Sequence, residues 1–168
     1  MKNKNHEKVL REHVLYLLRD GGAHVKFAAA VQDVPAAVQG KRPKGTAHSP
    51  WELLEHLRIA QWDILEFMRN PKHVSPPFPA GYWPAAQVPP SENAWADSVA
   101  SFRADSEAVA AMVADESNDL FKPIPHGDGQ TILREALLVA DHNAYHLGQL
   151  VLVRQLLGSA HAVARPAE

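Results

Sequence analysis

Ser49-Pro50-Trp51-Glu52-Leu53-Leu54-Glu55-His56-Leu57 carries the clearest helix start in the chain. Ser49 offers an N-cap hydroxyl, and Pro50 suits the first helical position, where its missing N–H has no partner to lose. Glu52, three residues after the cap, completes a capping box. Leu53, His56, Ala60, Ile64 and Phe67 then recur at helical spacing, which predicts an amphipathic helix over 50–70, stopped by Pro71. Such a helix must bury one stripe against other elements.

Three further stretches carry stripes of their own. The first spans 7–34, with Leu10, Val14, Leu17 and Leu18 in register and Val25, Ala28 and Ala29 beyond Gly21-Gly22. Each glycine costs about 1 kcal/mol against alanine in a helix, so the pair either weakens this segment or breaks it in two. The third helix spans 91–116 from an N-cap at Ser91, through Trp95, Val99, Phe102, Val109 and Val113. The fourth spans 131–157, ending before Gly158, a suitable C′ residue, after which the tail is expected to fray. Between the second and third helices, seven prolines in residues 71–90 rule out regular helix and a central strand. Phe78, Tyr82 and Trp83 in that connection argue that it docks on the domain. With no strand signal in competition, the chain reads as all-α: a four-helix bundle in a single domain over 1–168, with a long Pro-rich connection between helices 2 and 3.

The 168 residues are 46% hydrophobic and 21% charged, with net charge -2. No basic run suggests a nucleic-acid footprint, and the longest apolar stretch carries Asp141, two histidines and Arg154, so no membrane segment is expected. The absence of cysteine excludes disulfides, thiolate nucleophiles and Cys-type zinc sites. The polar N-terminus shows no signal peptide, which points to a cytoplasmic protein.

The chemistry lies in histidines. His142 and His146, in Asp141-His142-Asn143-Ala144-Tyr145-His146-Leu147, stand four residues apart, about 40° around the helix axis and about 6 Å along it. At about 100° per residue they share the apolar face of Glu135, Val139, Leu150 and Val153. On the second helix His56 shares the face of Leu53 and Ala60, while Glu55, Arg58, Trp62 and Arg69 point away. Inward imidazoles need partners, because an unpaired buried polar group costs a few kcal/mol. Each can hydrogen-bond separately to a carbonyl or carboxylate, or one metal ion can satisfy all three. Asn143 stands where a zinc protease would carry its glutamate, so that chemistry is not supported.

The segments Ser49 to His56 and Ala140-Asp141-His142-Asn143-Ala144-Tyr145-His146-Leu147-Gly148-Gln149 resemble the two signature segments of the DinB/YfiT-like family. Gly22-Ala23-His24 and Gly81-Tyr82-Trp83-Pro84 resemble its members too, so the likeness covers nearly the whole chain. It implies a DinB-type four-helix bundle, frequently a homodimer, with a divalent metal ion, zinc or nickel, held by His56, His142 and His146. Some relatives transfer low-molecular-weight thiols to electrophiles and others are described as metal-dependent hydrolases. The expectation is therefore a metal-dependent thiol S-transferase or hydrolase with a small-molecule substrate. The alternative is a non-catalytic metal-binding or stress-associated module.

Asp63, two turns after His56, and Glu135, two turns before His142, are the candidates to orient an imidazole or act as a base. Glu52 is better explained by the capping box, and Gln149 projects near His146. His24 is expected at the surface, as are His6, His13, His48, His73, His126 and His161. Tyr82 and Trp83 read first as anchors of the long connection, with a substrate lid as the second reading, and Trp62 as a dimer contact.

Overall fold

Ser49 Oγ accepts from the Glu52 amide at 3.2 Å, and the Glu52 carboxylate accepts from the Ser49 amide at 2.8 Å. The capping box read from sequence is thus formed, and the helix behind it runs Pro50–Arg69. The computed structural model describes residues 4–20 and 22–159. Its helices are α1 (Lys4–Asp20), α2 (Phe27–Val31), α3 (Ala36–Gln39), α4 (Pro50–Arg69), α5 (Ala94–Ala114) and α6 (Ile132–Leu156), with a 3-10 turn at Ala80–Tyr82. No strand occurs among the described residues, where one isolated bridge joins Pro123 to Thr131. The expected tail beyond residue 159 lies outside them.

The expectation for α4 and α6 holds nearly to the residue, because each has a side-chain cap: Thr131 Oγ1 accepts from the Arg134 amide at 3.1 Å. The stretch 7–34 resolves in favour of the break. Gly22 adopts φ +65, a left-handed conformation that costs glycine little, and the chain turns there before the short helices α2 and α3. Ser91 does not begin α5. Its carbonyl accepts from the Ala94 amide in a preceding turn, and the cap falls to Asn93, whose side chain makes no capping hydrogen bond.

α4 packs along α5 and α6, and α1 packs along the same two helices, so α1 and α4 lie across the bundle from each other. Leu53, Leu54, Trp51, Trp95, Leu147, Leu150 and Val153 form one core layer, closed by Ala30, Val31 and Val34 from the α2 region. Leu65, Met68, Val109 and Ile124 form a second, and Val14, Val113, Leu120 and Ala136 a third. Two buried arginines join segments distant in sequence. Arg11 on α1 donates to the carbonyls of Val113 (2.6 Å), Asp115 (3.1 Å) and Asn118 (2.6 Å), satisfying acceptors that the end of α5 leaves open. Arg154 on α6 donates to Ala29 and Ala30 carbonyls at 3.2 and 2.5 Å, holding α2 against the bundle.

The far end of the proline-rich connection is tied to the start of α4. Ser49 Oγ donates to the Gln87 carbonyl at 2.8 Å, and Gln87 Nε2 donates to the Gly40 carbonyl at 2.8 Å. A Cβ on Gly40 would stand 2.3 Å from Val88 Cγ1, so only glycine allows this approach. Tyr82 and Trp83 are partly buried as expected, whereas Phe78 is 87% exposed and meets only the edge of the Tyr82 ring within the same connection.

Ser49 therefore caps α4 and ties down the connection with one hydroxyl. Ser49→Ala is expected to lower stability by about 1–2 kcal/mol, read as a lower urea midpoint at unchanged slope. An unchanged midpoint would show that neither bond contributes.

Candidate metal centre

His56 from α4 meets His142 and His146 from α6 at one point. His56 Nε2 lies 3.0 Å from His146 Nε2 and 3.1 Å from His142 Nε2, and donor atoms of all three lie within 4.8 Å of one another. The remaining nitrogens decide the proton positions. His56 Nδ1 lies 2.8 Å from the Tyr82 carbonyl, which can only accept, so Nδ1 carries the hydrogen and Nε2 presents a lone pair. His146 Nδ1 faces the Gln149 side-chain oxygen at 2.8 Å, which gives the same tautomer. Two lone pairs facing each other at 3.0 Å repel unless a cation lies between them. Four-coordinate zinc with 2.0–2.1 Å bonds to imidazole sets nitrogens roughly 3.3 Å apart, close to the spacing here. The donor set therefore fits a divalent metal ion.

Burial keeps these imidazoles neutral and ready to coordinate. It pushes His142 and His146 down to about 4, helped at His142 by His146 and His56 and at His146 by His56. His56 is lowered by burial too, against the opposing pull of the Tyr82 carbonyl. Among the described residues the group contains no carboxylate, so three neutral nitrogens are the protein's whole donor set, the pattern of an open site.

The long connection covers one side. Trp83 stacks on His56 with centroids 3.9 Å apart and rings 3° from parallel, and His48 stacks on the far face of the same indole at 3.9 Å. Asp63 holds this arrangement from below. Its two oxygens accept from His73 Nε2 at 2.7 Å and from the Tyr82 hydroxyl at 2.6 Å. Tyr82 therefore has both ends committed, its phenol to Asp63 and its carbonyl to His56. Burial, reinforced by Asp63, pushes the phenol up to about 12.

The structure does not bring the two carboxylates named from sequence onto the three ligand imidazoles. Asp63 reaches His56 only through Tyr82. Glu135, 2% exposed, pairs with Arg134 at 2.5 Å, and both carboxylates line a separate cavity with Ser75 and Gln130. Glu52 pairs with Arg42 besides capping α4, while Gln149 does contact His146. His48 and His73 correct the expectation of surface residues: one lies in the stack and the other is buried on Asp63. Trp62 packs edge-on against His73 and is half-buried, and Glu55, expected to point away, is buried on Arg58. His24 is exposed, with Nδ1 at its neighbour's carbonyl, and His161 lies outside the described residues. Nothing in the local sequence marks His48 as part of the site, since its partner Trp83 is 35 residues away by numbering.

Two substitutions separate ligands from support. His142→Ala should abolish stoichiometric zinc or nickel binding in dialysis equilibrium, whereas Asp63→Ala, which leaves all three donors, should weaken it about 10–100-fold. Full metal content in His142→Ala would overturn the donor set. The metal-free protein should also lose stability on mild acidification. Folded imidazoles near 4 bind fewer protons than unfolded ones near 6.5, so stability is full above about pH 6.5 and falls as pH drops toward about 4. Denaturant midpoints measured across that window test this, and a flat profile contradicts it.

Among known proteins, no curated protein and no solved structure matches the chain. The DinB superfamily profile matches residues 22–150, a span that includes α4 with His56, the covering connection, α5, and His142 and His146 of α6. That match covers well over half of the chain and agrees with its all-helical architecture: the protein belongs to the DinB superfamily.

Proposed function

We propose that this protein is a divalent-metal-dependent enzyme acting on small molecules, with zinc or nickel held by His56, His142 and His146, and that it transfers a low-molecular-weight thiol to an electrophile. The observation that carries the reading is the donor set: three neutral imidazoles and no protein carboxylate. A divalent ion there supplies Lewis acidity, which keeps a substrate thiol deprotonated or lowers the pKa of water toward 7.

The chain's own groups favour thiol transfer over hydrolysis. Hydrolysis calls for a carboxylate or imidazole base beside the nucleophile, within about 3 Å or one water. Asp63 and Glu135 have their hydrogen bonds elsewhere, and His48 lies behind the Trp83 ring. A thiol already held as thiolate needs no such base. The nucleophile then comes from the cosubstrate, in keeping with a chain that has no cysteine. Tyr82 and Trp83 orient His56 and shield it from water on one side. The same reading includes a homodimer in the cytoplasm.

The test is turnover by zinc- and nickel-loaded protein supplied with bacillithiol, mycothiol or cysteine and an activated aryl chloride, set beside hydrolysis of simple esters and amides. Thiol-dependent product, lost in metal-free protein and in His146→Ala, supports the transferase. Ester or amide turnover without thiol moves the assignment to hydrolase. No rate above the metal-free control in either assay overturns catalysis and leaves a metal-binding module.

A further inference from the structure

Each imidazole of the metal centre has a second nitrogen, and the acceptors that those three nitrogens meet are all uncharged. His56 Nδ1 donates to the Tyr82 backbone carbonyl and His146 Nδ1 to Gln149 Oε1, both at 2.8 Å. His142 has its Nε2 at His56, so Nδ1 is the nitrogen left for the Asn143 side chain, which hydrogen-bonds it. The oxygen of that amide makes the bond, and a chain of hydrogen bonds shows why. The Phe102 carbonyl can only accept, so Gln61 Nε2, 2.7 Å away, donates to it. Gln61 Oε1 then accepts from Asn143 Nδ2 at 2.8 Å, which leaves Asn143 Oδ1 to accept from His142. Gln61 is 1% exposed, so the chain cannot reverse by turning outward. A backbone carbonyl on α5 thereby sets which nitrogen of His142 keeps its lone pair. Each of the three bonds raises its imidazole against the downward push of burial, as an acceptor at a ring N–H must.

Metal-binding histidines donate this second N–H to a carboxylate, a backbone carbonyl or a water, and a carboxylate both strengthens the ring as a donor and sets a negative charge beside the ion. Among the described residues, no carboxylate hydrogen-bonds any of these three rings. The carboxylates on neighbouring turns are spent elsewhere. Glu52, one turn before His56, is held by Arg42 and the Ser49 amide, Asp63 by His73 and Tyr82, and Glu135 by Arg134. Asp141, beside His142 in the chain, is exposed. Neutral ligands with neutral partners leave a divalent ion its full charge. At the effective dielectric of a half-buried site, that charge favours an anion over a neutral molecule in the open position.

We propose that Asn143 and Gln149 are positioning residues that hold His142 and His146 through uncharged oxygens, so that the open position of the centre selects anionic ligands, a thiolate among them, over neutral ones. This rests on the divalent-metal reading of the three histidines and adds what sets the charge of the molecule they accept. Two side-chain amides, each one hydrogen bond removed from a ligand nitrogen's ring, make that choice.

The test loads the full chain with cobalt(II), whose visible absorption changes when a ligand enters the open position. Azide, a monoanion, and imidazole, a neutral donor, are titrated in separately, and the wild type is expected to bind azide saturably. Gln149→Glu keeps an oxygen at His146 Nδ1 and adds one negative charge. It should hold cobalt at least as tightly as the wild type, because a carboxylate partner strengthens the ring as a donor. It should also weaken azide about tenfold and shift imidazole by less than about twofold, since an added unit charge acts on the anion. Gln149→Met removes the acceptor without adding charge, so it should weaken cobalt about 10–100-fold and leave the azide affinity of the loaded protein near that of the wild type. Asn143→Ala, with an unchanged circular dichroism spectrum, should weaken cobalt about tenfold or more. Undiminished cobalt affinity there overturns the part of Asn143. Azide binding to Gln149→Glu as tight as to the wild type, or equal loss of azide and imidazole, overturns the proposal while the metal centre stands. Failure of the wild type to bind cobalt overturns the centre and the proposal together. Azide binding requires no thiol turnover, so the transferase reading stands or fails separately.

Discussion

Two imidazole lone pairs facing each other at 3.0 Å are a repulsive contact, and the chain around His56 and His146 is arranged to keep them so. The Tyr82 carbonyl holds the His56 proton on the far nitrogen, Gln149 does the same for His146, and burial resists taking up a second proton. Each device would be a cost in a protein without a metal. Together they define a pocket of negative potential that a divalent cation resolves, because metal ligands must be deprotonated and unused in other hydrogen bonds.

Holding that geometry occupies much of the molecule. α4 and α6 supply the ligands, and their capped N-termini fix where each helix begins. The connection between α4 and α5 contributes no ligand, yet it places a carbonyl and an indole against His56. Asp63 secures it by accepting from two residues of the same connection, while Ser49 ties its far end to the start of α4. On the other side, the chain of Phe102 carbonyl, Gln61 and Asn143 joins α5, α4 and α6 through polar bonds within an apolar interior. The ligand helices are thus braced from both sides.

Much of this was legible in the chain. The capping box at Ser49 and Glu52 and the cap at Thr131 are local, so α4 and α6 begin where the residues say. The inward facing of the three histidines follows from helical spacing alone. Less legible were groups whose partners are remote in sequence. Asp63 and Glu135 stand two turns from the ligands on the right helices, but two turns is about 11 Å of rise, and each found a nearer partner. His48 and His73 looked like loop histidines and are held by Trp83 and Asp63.

By itself, the sequence determined the elements and the donor types: four capped or periodic helices, a weak point at the glycine pair, no sulfur ligand, and two histidine-bearing faces turned inward. These are short-range properties, set by backbone dihedrals, capping and helical periodicity within a few residues. Only the tertiary structure decided that His56 meets His142 and His146 nitrogen to nitrogen, that Tyr82 fixes the proton on His56, and that Asp63 serves the covering connection in place of the ligands. Those outcomes depend on how α4 and α6 are rotated and shifted against each other, to within about an ångström. That relative placement comes from the packing of side chains far apart in the chain, which no local pattern encodes.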